Sequence, residues 1–353
     1  MNAVKPAYLR PLELKRGRVD LGFGAGGQAM AQLITELFAR AFANDFLARG
    51  DDGAVLPAPA AGERLVMATD AHVVSPLFFP GGDIGSLAVH GTINDLAVMG
   101  ARPLYLAASF ILEEGFALAE LVRIVDSMAA ASRAAGVPVV TGDTKVVERG
   151  KGDGVFITTT GIGALLAGRD PGGARARPGD AILVSGTLGD HGMAIMAQRE
   201  ALAFESELRS DSAALHGLVE ALYAAVEPAA IHVLRDPTRG GLASTLNEIA
   251  GQSGVGMVLD EAAIPLSPAV QAACELLGLD ALNVANEGKL VLVCAPQAAE
   301  VLLAAMHAHP LGRQAARIGE VCADPQHFVQ LRTRLGGRRM VDWLAGEALP
   351  RIC

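Results

Sequence analysis

The chain has 353 residues, long enough for two domains rather than one. Hydrophobic residues make up 51%, charged residues 19% and aromatics 4%, the composition of a globular α/β protein rich in Ala, Val, Leu and Gly. A formal net charge of −9 speaks against a nucleic-acid surface, and no run reaches the roughly 18 apolar residues of a membrane span.

The four cysteines stand at 274, 294, 322 and 353. None belongs to a CxxC pair, which argues against a zinc knuckle or a dithiol redox motif. Cys274 and Cys294 lie in apolar runs and are expected in the core. The start, Met-Asn-Ala-Val-Lys-Pro, lacks the apolar region of a signal peptide, so the expected setting is cytoplasmic with reduced thiols and no membrane.

Residues 1–20, with Pro6, Pro11 and several basic side chains, read as a loose N-terminal arm. Then comes Gly22-Phe23-Gly24-Ala25-Gly26-Gly27, a formal GxGxxG. The preceding Arg18-Val19-Asp20-Leu21 is a poor buried strand, which argues against a dinucleotide fold. A glycine-rich loop opening the helix predicted over 29–42 can still cradle phosphates through its backbone N–H groups. Residues 44–62 form a loop holding Asp51-Asp52. A strand is predicted over 64–68, ending on Thr69-Asp70. Pro80-Gly81-Gly82-Asp83 turns the chain into a helix over 86–99 that holds Asn94-Asp95 and stops at Gly100. A strand over 105–112, a helix over 116–135, and a strand over 137–140 leading into Thr141-Gly142-Asp143-Thr144-Lys145 follow. A strand over 155–163 closes the first sheet.

The Gly- and Pro-dense stretch 168–180 is the predicted linker between a domain at 21–167 and an α/β domain at 181–345. The second domain holds Gly186-Thr187-Leu188-Gly189-Asp190-His191-Gly192, Asp236-Pro237-Thr238-Arg239-Gly240-Gly241 before a helix, and Asn286-Glu287-Gly288-Lys289 before a strand over 290–294. The last stretch, 346–353, has no helix or strand pattern. Pro350 disfavours helix just before it, so Cys353 is expected on a flexible extended arm with a reach of roughly 26–29 Å. Such an arm can carry a sulfur into a cleft, so Cys353 is a candidate covalent carrier.

Asp52, Asp70, Asp95, Asp143 and Asp236 sit at the ends or edges of predicted elements, Asp52 and Asp143 beside glycines, and carboxylates from several elements converge readily on a hard cation. No Walker A frame surrounds Lys145, Lys151 or Lys289, so any ATP use must come from another fold.

Six motifs, in order, resemble one known family: Pro76-Leu77-Phe78-Phe79-Pro80-Gly81-Gly82, Val89-His90-Gly91-Thr92-Ile93-Asn94-Asp95-Leu96, the 141–147 stretch, the 185–192 stretch, Ala285-Asn286-Glu287-Gly288-Lys289, and Pro350-Arg351-Ile352-Cys353. They resemble the hydrogenase maturation factor HypE family, within the superfamily of aminoimidazole ribonucleotide synthetase, selenophosphate synthetase and thiamine-monophosphate kinase. The resemblance runs from about residue 20 onward. It implies a two-domain α/β (α+β) synthetase-like fold whose N-terminal domain has a mixed sheet, binds ATP with Mg2+ and forms a homodimer.

The implied activity is that of a carbamoyl dehydratase. A carbamoyltransferase, HypF, loads a carbamoyl group on Cys353. ATP phosphorylates its oxygen, and loss of a proton and of phosphate leaves a thiocyanate. The cyano group then passes to iron on a HypC–HypD complex during NiFe hydrogenase assembly. The implied metal ligands are Asp52, Asp70, Asp95 and Asp236. The implied nucleotide contacts are Gly24, Gly26, Gly27, Asn94, Gly142, Asp143 and Thr144. Lys145 is assigned to phosphate or the substrate oxygen, Asp143 to orienting Lys145 or the metal, and Glu287 to taking the amide proton. His90 and His191 are expected to be structural. The glycine-rich loop departs from the family's His-Gly-Ser/Ala-Gly-Gly form at its histidine but keeps the glycines. Two alternatives stay open: another synthetase of the superfamily, disfavoured because no cysteine precedes Cys274, and a carrier whose body only docks partners.

Overall fold

A computed structural model describes residues 11–24, 28–49, 53–200, 208–343 and 351–353. Asp52, Gly26 and Gly27 lie outside the described residues, as does most of the tail. Residues 11–20, expected as a loose arm, are fastened down. Val19 is buried, donates its N–H to the Phe116 carbonyl and accepts from the Gly115 N–H. The helix expected over 29–42 is α1 (Gln28–Leu33), a π-helical turn (Ile34–Phe38) and α2 (Ala39–Ala41), with Leu33, Leu37 and Phe38 buried.

The next elements are β1 (Arg64–His72), the small hairpin β2 (Phe78–Phe79) and β3 (Gly82–Asp83), α3 (Ile84–Val98), β4 (Ala101–Glu113), α4 (Leu118–Ala135), β5 (Val139–Val147) and β6 (Val155–Leu165). They build a four-stranded sheet in the order β1-β6-β4-β5, antiparallel except for the β4–β5 pair. Side chains alternate across it with period two. Register places Asp70, Thr159, Ala108 and Gly142 in one row on the face covered by α3. The next row, Ala71, Thr158, Ser109 and Asp143, points the other way. That second face is open: Leu65 and Met67 are 61% and 70% exposed, and Ile111 is 41% exposed.

Among the strands that run longer than expected, two move site residues. β5 runs on through Val147, so Asp143 and Lys145 lie inside a strand rather than beyond one; the β-branched Thr141, Thr144, Val146 and Val147 sustain it. β1 runs to His72, so Asp70 too is within its strand.

α3 is the central helix. Asp83 caps it by accepting from the Gly85 and Ser86 N–H groups, and the Ser86 hydroxyl returns to the Asp83 N–H in a capping box. It is apolar nearly all round, from Ile84 and Leu87 to Leu96 and Val98, as a helix enclosed on every side should be.

The second half comprises β7 (Ala181–Val184), α5 (Asp190–Arg199), α6 (His216–Ala225), β8 (Ile231–Arg235), α7 (Gly241–Ser253), β9 (Gly256–Asp260), α8 (Pro268–Leu277), β10 (Val291–Cys294), α9 (Ala299–Ala308), β11 (Ala316–Cys322), β12 (Val329–Arg332) and β13 (Arg338–Met340). Its seven-stranded sheet has the order β13-β12-β9-β11-β7-β10-β8, mixed because β12 and β9 are parallel. The uninterrupted apolar runs of β7 and β10 are buried at every residue, as central strands require. The mixed α/β architecture is therefore the expected one.

Between the sheets the chain is irregular but packed. Arg169 is buried, bonded to both Glu220 oxygens at 2.6 and 2.7 Å and stacked on Tyr223. One apolar core joins Val89, Ile93 and Ile157 of the first half to Met193, Ile195 and Val270 of the second, and it includes Ile352. Among the described residues no helix is long and apolar enough to cross a membrane.

Candidate active site

The last three residues are seated, not loose. The Ser75 N–H donates to the Arg351 carbonyl at 3.1 Å and the Val73 N–H to the Cys353 carbonyl at 3.0 Å, so the tail lies along the chain after β1. Ile352 is 2% exposed. Arg351 pairs with Asp153. The Cys353 Sγ ends 3.5 Å from an Arg239 guanidinium nitrogen. Burial pushes this thiol up to about 12; Glu287 adds in the same direction, and Arg239 opposes it.

Glu287 is 3% exposed, and its Oε1 has no hydrogen-bond partner among the described residues. Burial first, then the charges of Asp211, Asp236, Asp70 and Asp95, raise its pKa well above the carboxylate range. A network of backbone bonds fixes it. Asp211 accepts from the Glu287 and Gly288 N–H groups and from Lys289 at 3.1 Å. Burial works to raise the Asp211 pKa, but Lys289 and the Glu287 amide outweigh it and the net shift is downward. The Asp211 carbonyl would lie 1.8 Å from a Cβ at position 288, so only glycine admits this approach. Asn94 donates to the Ala213 and Glu287 carbonyls and accepts from the Leu215 N–H. Its polar atoms are thus spent on positioning Glu287. Asn286 ties the same loop to Gly189 and Pro237, which sets Asp236 and Arg239 beside it.

Asp70, Asp95 and Asp236 come from β1, α3 and the end of β8, and they sense one another. Burial, then Asp236 and Asp70, push Asp95 up to about 7. Burial pushes Asp236 up to about 6, with Asp70 adding to it and Arg235 opposing. Crowded, half-buried carboxylates are a donor set suited to a hard divalent cation. Among the described residues no three His, Cys, Asp or Glu side chains form a closed metal cage. Mg2+ does not need one: it takes one or two carboxylates plus phosphate oxygens and water. Beneath Asp70, the buried His72 ring lies 3.3 Å from its carboxylate, outside hydrogen-bond geometry.

Lys145 and Asp143 are not part of this cluster. They pair with each other on the open sheet face, opposite Asp70. Lys145 lowers the Asp143 pKa. Thr144, between them, is buried on the helix side. Gly24 and Gly142 are explained by close backbone approach: added Cβ atoms would lie 2.6 Å from the Val146 nitrogen and 2.3 Å from the Ala108 oxygen. The expected residues thus fall into two groups, Asp70, Asp95, Asp236, Glu287 and Cys353 in the cleft, and Asp143 with Lys145 on the open face.

Three residues without a sequence assignment, Arg239, Asp211 and Arg199, complete the site together with His191. Arg239 lies in the same Asp236–Gly241 motif as a chosen ligand, which is the signal that marks it. His191 was expected to be a structural donor, and its Nε2 meets the Ile352 carbonyl at 2.7 Å. Among the described residues, His90 bonds to Ser212.

Two family models match this chain. The AIR synthase related protein N-terminal domain covers residues 50–165 and the C-terminal domain covers 177–332. The fold and its cleft are therefore those of an AIR synthase related protein. The carbamoyl dehydratase HypE of Cupriavidus necator is 70% identical over 350 residues, 99% of either chain. A crystal structure of hydrogenase maturation protein HypE in complex with ATP superposes with a TM-score of 0.90 at 51% identity, covering 94% of this chain and 99% of that one. HypE in a HypE–HypF complex superposes with a TM-score of 0.77 at 49% identity, covering 88% and 99%. The chain belongs to the HypE family of carbamoyl dehydratases.

Proposed function

We propose that this protein dehydrates a carbamoyl group carried on its own Cys353 to a thiocyanate at the expense of ATP, supplying the cyano ligand for the iron centre of NiFe hydrogenase. The observation that carries the reading is the seated Cys353 sulfur, 3.5 Å from Arg239 and within the electrostatic reach of Glu287. The kinship to a HypE protein solved with ATP supports the nucleotide.

The carbamoyl oxygen attacks the γ-phosphorus and ADP leaves. The amide gives up one proton as the phosphorylated imidate forms and the second as phosphate departs, leaving S–C≡N. An amide oxygen is a poor leaving group and phosphate a good one, which is why the nucleotide is needed. Arg239 orients the sulfur-borne group. Glu287 takes an amide proton, and its burial, with the neighbouring carboxylate charges, strengthens its hold on a proton. Asp70, Asp95 and Asp236, with Asp52 from outside the described residues, would hold Mg2+, which supplies compensation of phosphoryl charge. Gly24, Gly26, Gly27, Gly142 and Thr144 would shape the nucleotide's surroundings.

Lys145 and Asp143 reach a nucleotide only if something closes over the open face of the first sheet. The exposed Leu65 and Met67 on β1 and Ile111 on β4 leave that face to be covered by a second copy of the chain, which supports a homodimer. HypF is the proposed source of the carbamoyl group, as the HypE–HypF complex of a relative suggests. A HypC–HypD complex is the proposed acceptor, and a reducing cytoplasm suits the free thiol.

The test is intact mass. Carbamoylated protein with Mg2+-ATP should lose the mass of one water at Cys353 and release phosphate. A carbamoyl group that persists while ATP binds would overturn the reading in favour of a passive carrier.

A further inference from the structure

The position of the reactive sulfur is set by contacts upstream of it. His191 and Arg199 stand at the two ends of α5. The His191 Nε2 meets the Ile352 carbonyl at 2.7 Å. An Arg199 terminal nitrogen donates to the Arg351 carbonyl at 3.0 Å and to the Ser75 carbonyl at 2.6 Å, so it clamps the tail to the segment it lies along.

The imidazole tautomer is fixed by its surroundings. The Ser210 oxygen already accepts the Ser212 N–H at 3.1 Å and lies 2.8 Å from His191 Nδ1. The Ile352 carbonyl can only accept, so Nε2 carries the hydrogen that reaches the tail and Nδ1 accepts the Ser210 hydroxyl proton. The ring is wholly enclosed, edge-on to Phe79 at 5.5 Å. Burial pulls its pKa down, so it stays neutral and keeps this tautomer at pH 7.

We infer that His191 and Arg199 are positioning residues for the chemistry at Cys353: they fix the two preceding carbonyls and so hold the sulfur against Arg239 and beside Glu287. The inference rests on the reading of Cys353 as the reacting atom. Neither residue touches the sulfur. Without either bond the tail keeps its apolar anchor but loses the restraint that aims Sγ.

Cys353 alkylation by iodoacetamide tests this in the full chain, without nucleotide or carbamoyl group, in a Cys322→Ser background. Arg199→Ala and His191→Phe should each raise the rate at Cys353 roughly tenfold, the scale of one lost hydrogen bond. Cys274 and Cys294 should stay protected. His191→Gln, which can present an amide N–H near the place of Nε2, should restore much of the slow rate. In turnover, kcat should fall while KM for ATP is unchanged. Wild-type alkylation in both Arg199→Ala and His191→Phe, or a rise at all cysteines together, overturns the inference. If His191→Phe does not fold, Arg199→Ala decides alone. Because the alkylation uses no substrate, it can fail while the dehydratase reading stands, and the reverse.

Discussion

The Lys145 Nζ lies 2.8 and 2.7 Å from the two oxygens of Asp143, and the pair stands on the sheet face opposite Asp70. Within one chain the ammonium is therefore occupied by a neighbour and turned away from the carboxylate cluster. If it acts on phosphate or substrate oxygen, Lys145→Ala should bind ATP but dehydrate about 100-fold more slowly or worse. Calorimetry and phosphate release measure the two separately, and a wild-type rate would remove Lys145 from the mechanism.

The same face carries Met67, 70% exposed. Met67→Glu places a charge in the proposed contact between copies. It should convert the dimer to monomer in light scattering while leaving the melting temperature nearly unchanged, because little is buried there within one chain. An unaltered dimer would mean the copies meet elsewhere.

Glu287→Gln keeps the shape of a buried side chain and removes its ability to take a proton. Dehydration should slow by about 100-fold or more with nucleotide affinity preserved. A variant as fast as wild type would shift the base to another group.

Asp95, pushed up to about 7, gives a pH prediction. Its unfolded value is about 4, so between these limits the folded state binds the extra proton. Its contribution to stability is present below about pH 4 and is lost as pH rises through 7. Asp95→Asn cannot ionise, so its melting temperature should exceed that of wild type little at pH 5 and clearly at pH 8. Mg2+ alone should raise the wild-type value at pH 8 and affect the variant less. A difference independent of pH would contradict the crowding of these carboxylates.

Two residues of the tail differ in what they contribute to its seat. Ile352 is 2% exposed, and burial of such a side chain is worth about 1.5–3 kcal/mol. Arg351 and Asp153 are 44% and 49% exposed, and pairs of that kind contribute about 0–1 kcal/mol. Ile352→Ala should expose Cys353 to alkylation far more than Arg351→Ala does. The opposite ranking would mean the ion pair holds the tail.

Much of this fold is legible in local pattern. The buried runs of β7 and β10, the α3 helix holding Asn94 and Asp95, the Asp236-Pro237 turn and the Glu287-Gly288 pair all announce themselves within a few residues. β5 was less legible because Asp143 and Lys145 read as a turn motif, although their period-two spacing also suits the exposed face of a strand. The tail seat left no local trace. Its partners are backbone carbonyls, and they are met by His191 from 161 residues away. Asp211 holds the Glu287 amide across 76 residues in the same way. Roles that arise from such distant meetings are set by packing, which no window of sequence contains.

A thiol raised to about 12 is ionised in roughly one molecule in 100,000 at pH 7. The cleft thus silences Cys353 as a nucleophile, while an acylated sulfur, which bears no charge, escapes that penalty. On the proposed carrier reading, Cys353 then acquires its group in a setting different from the one in which the group is transformed.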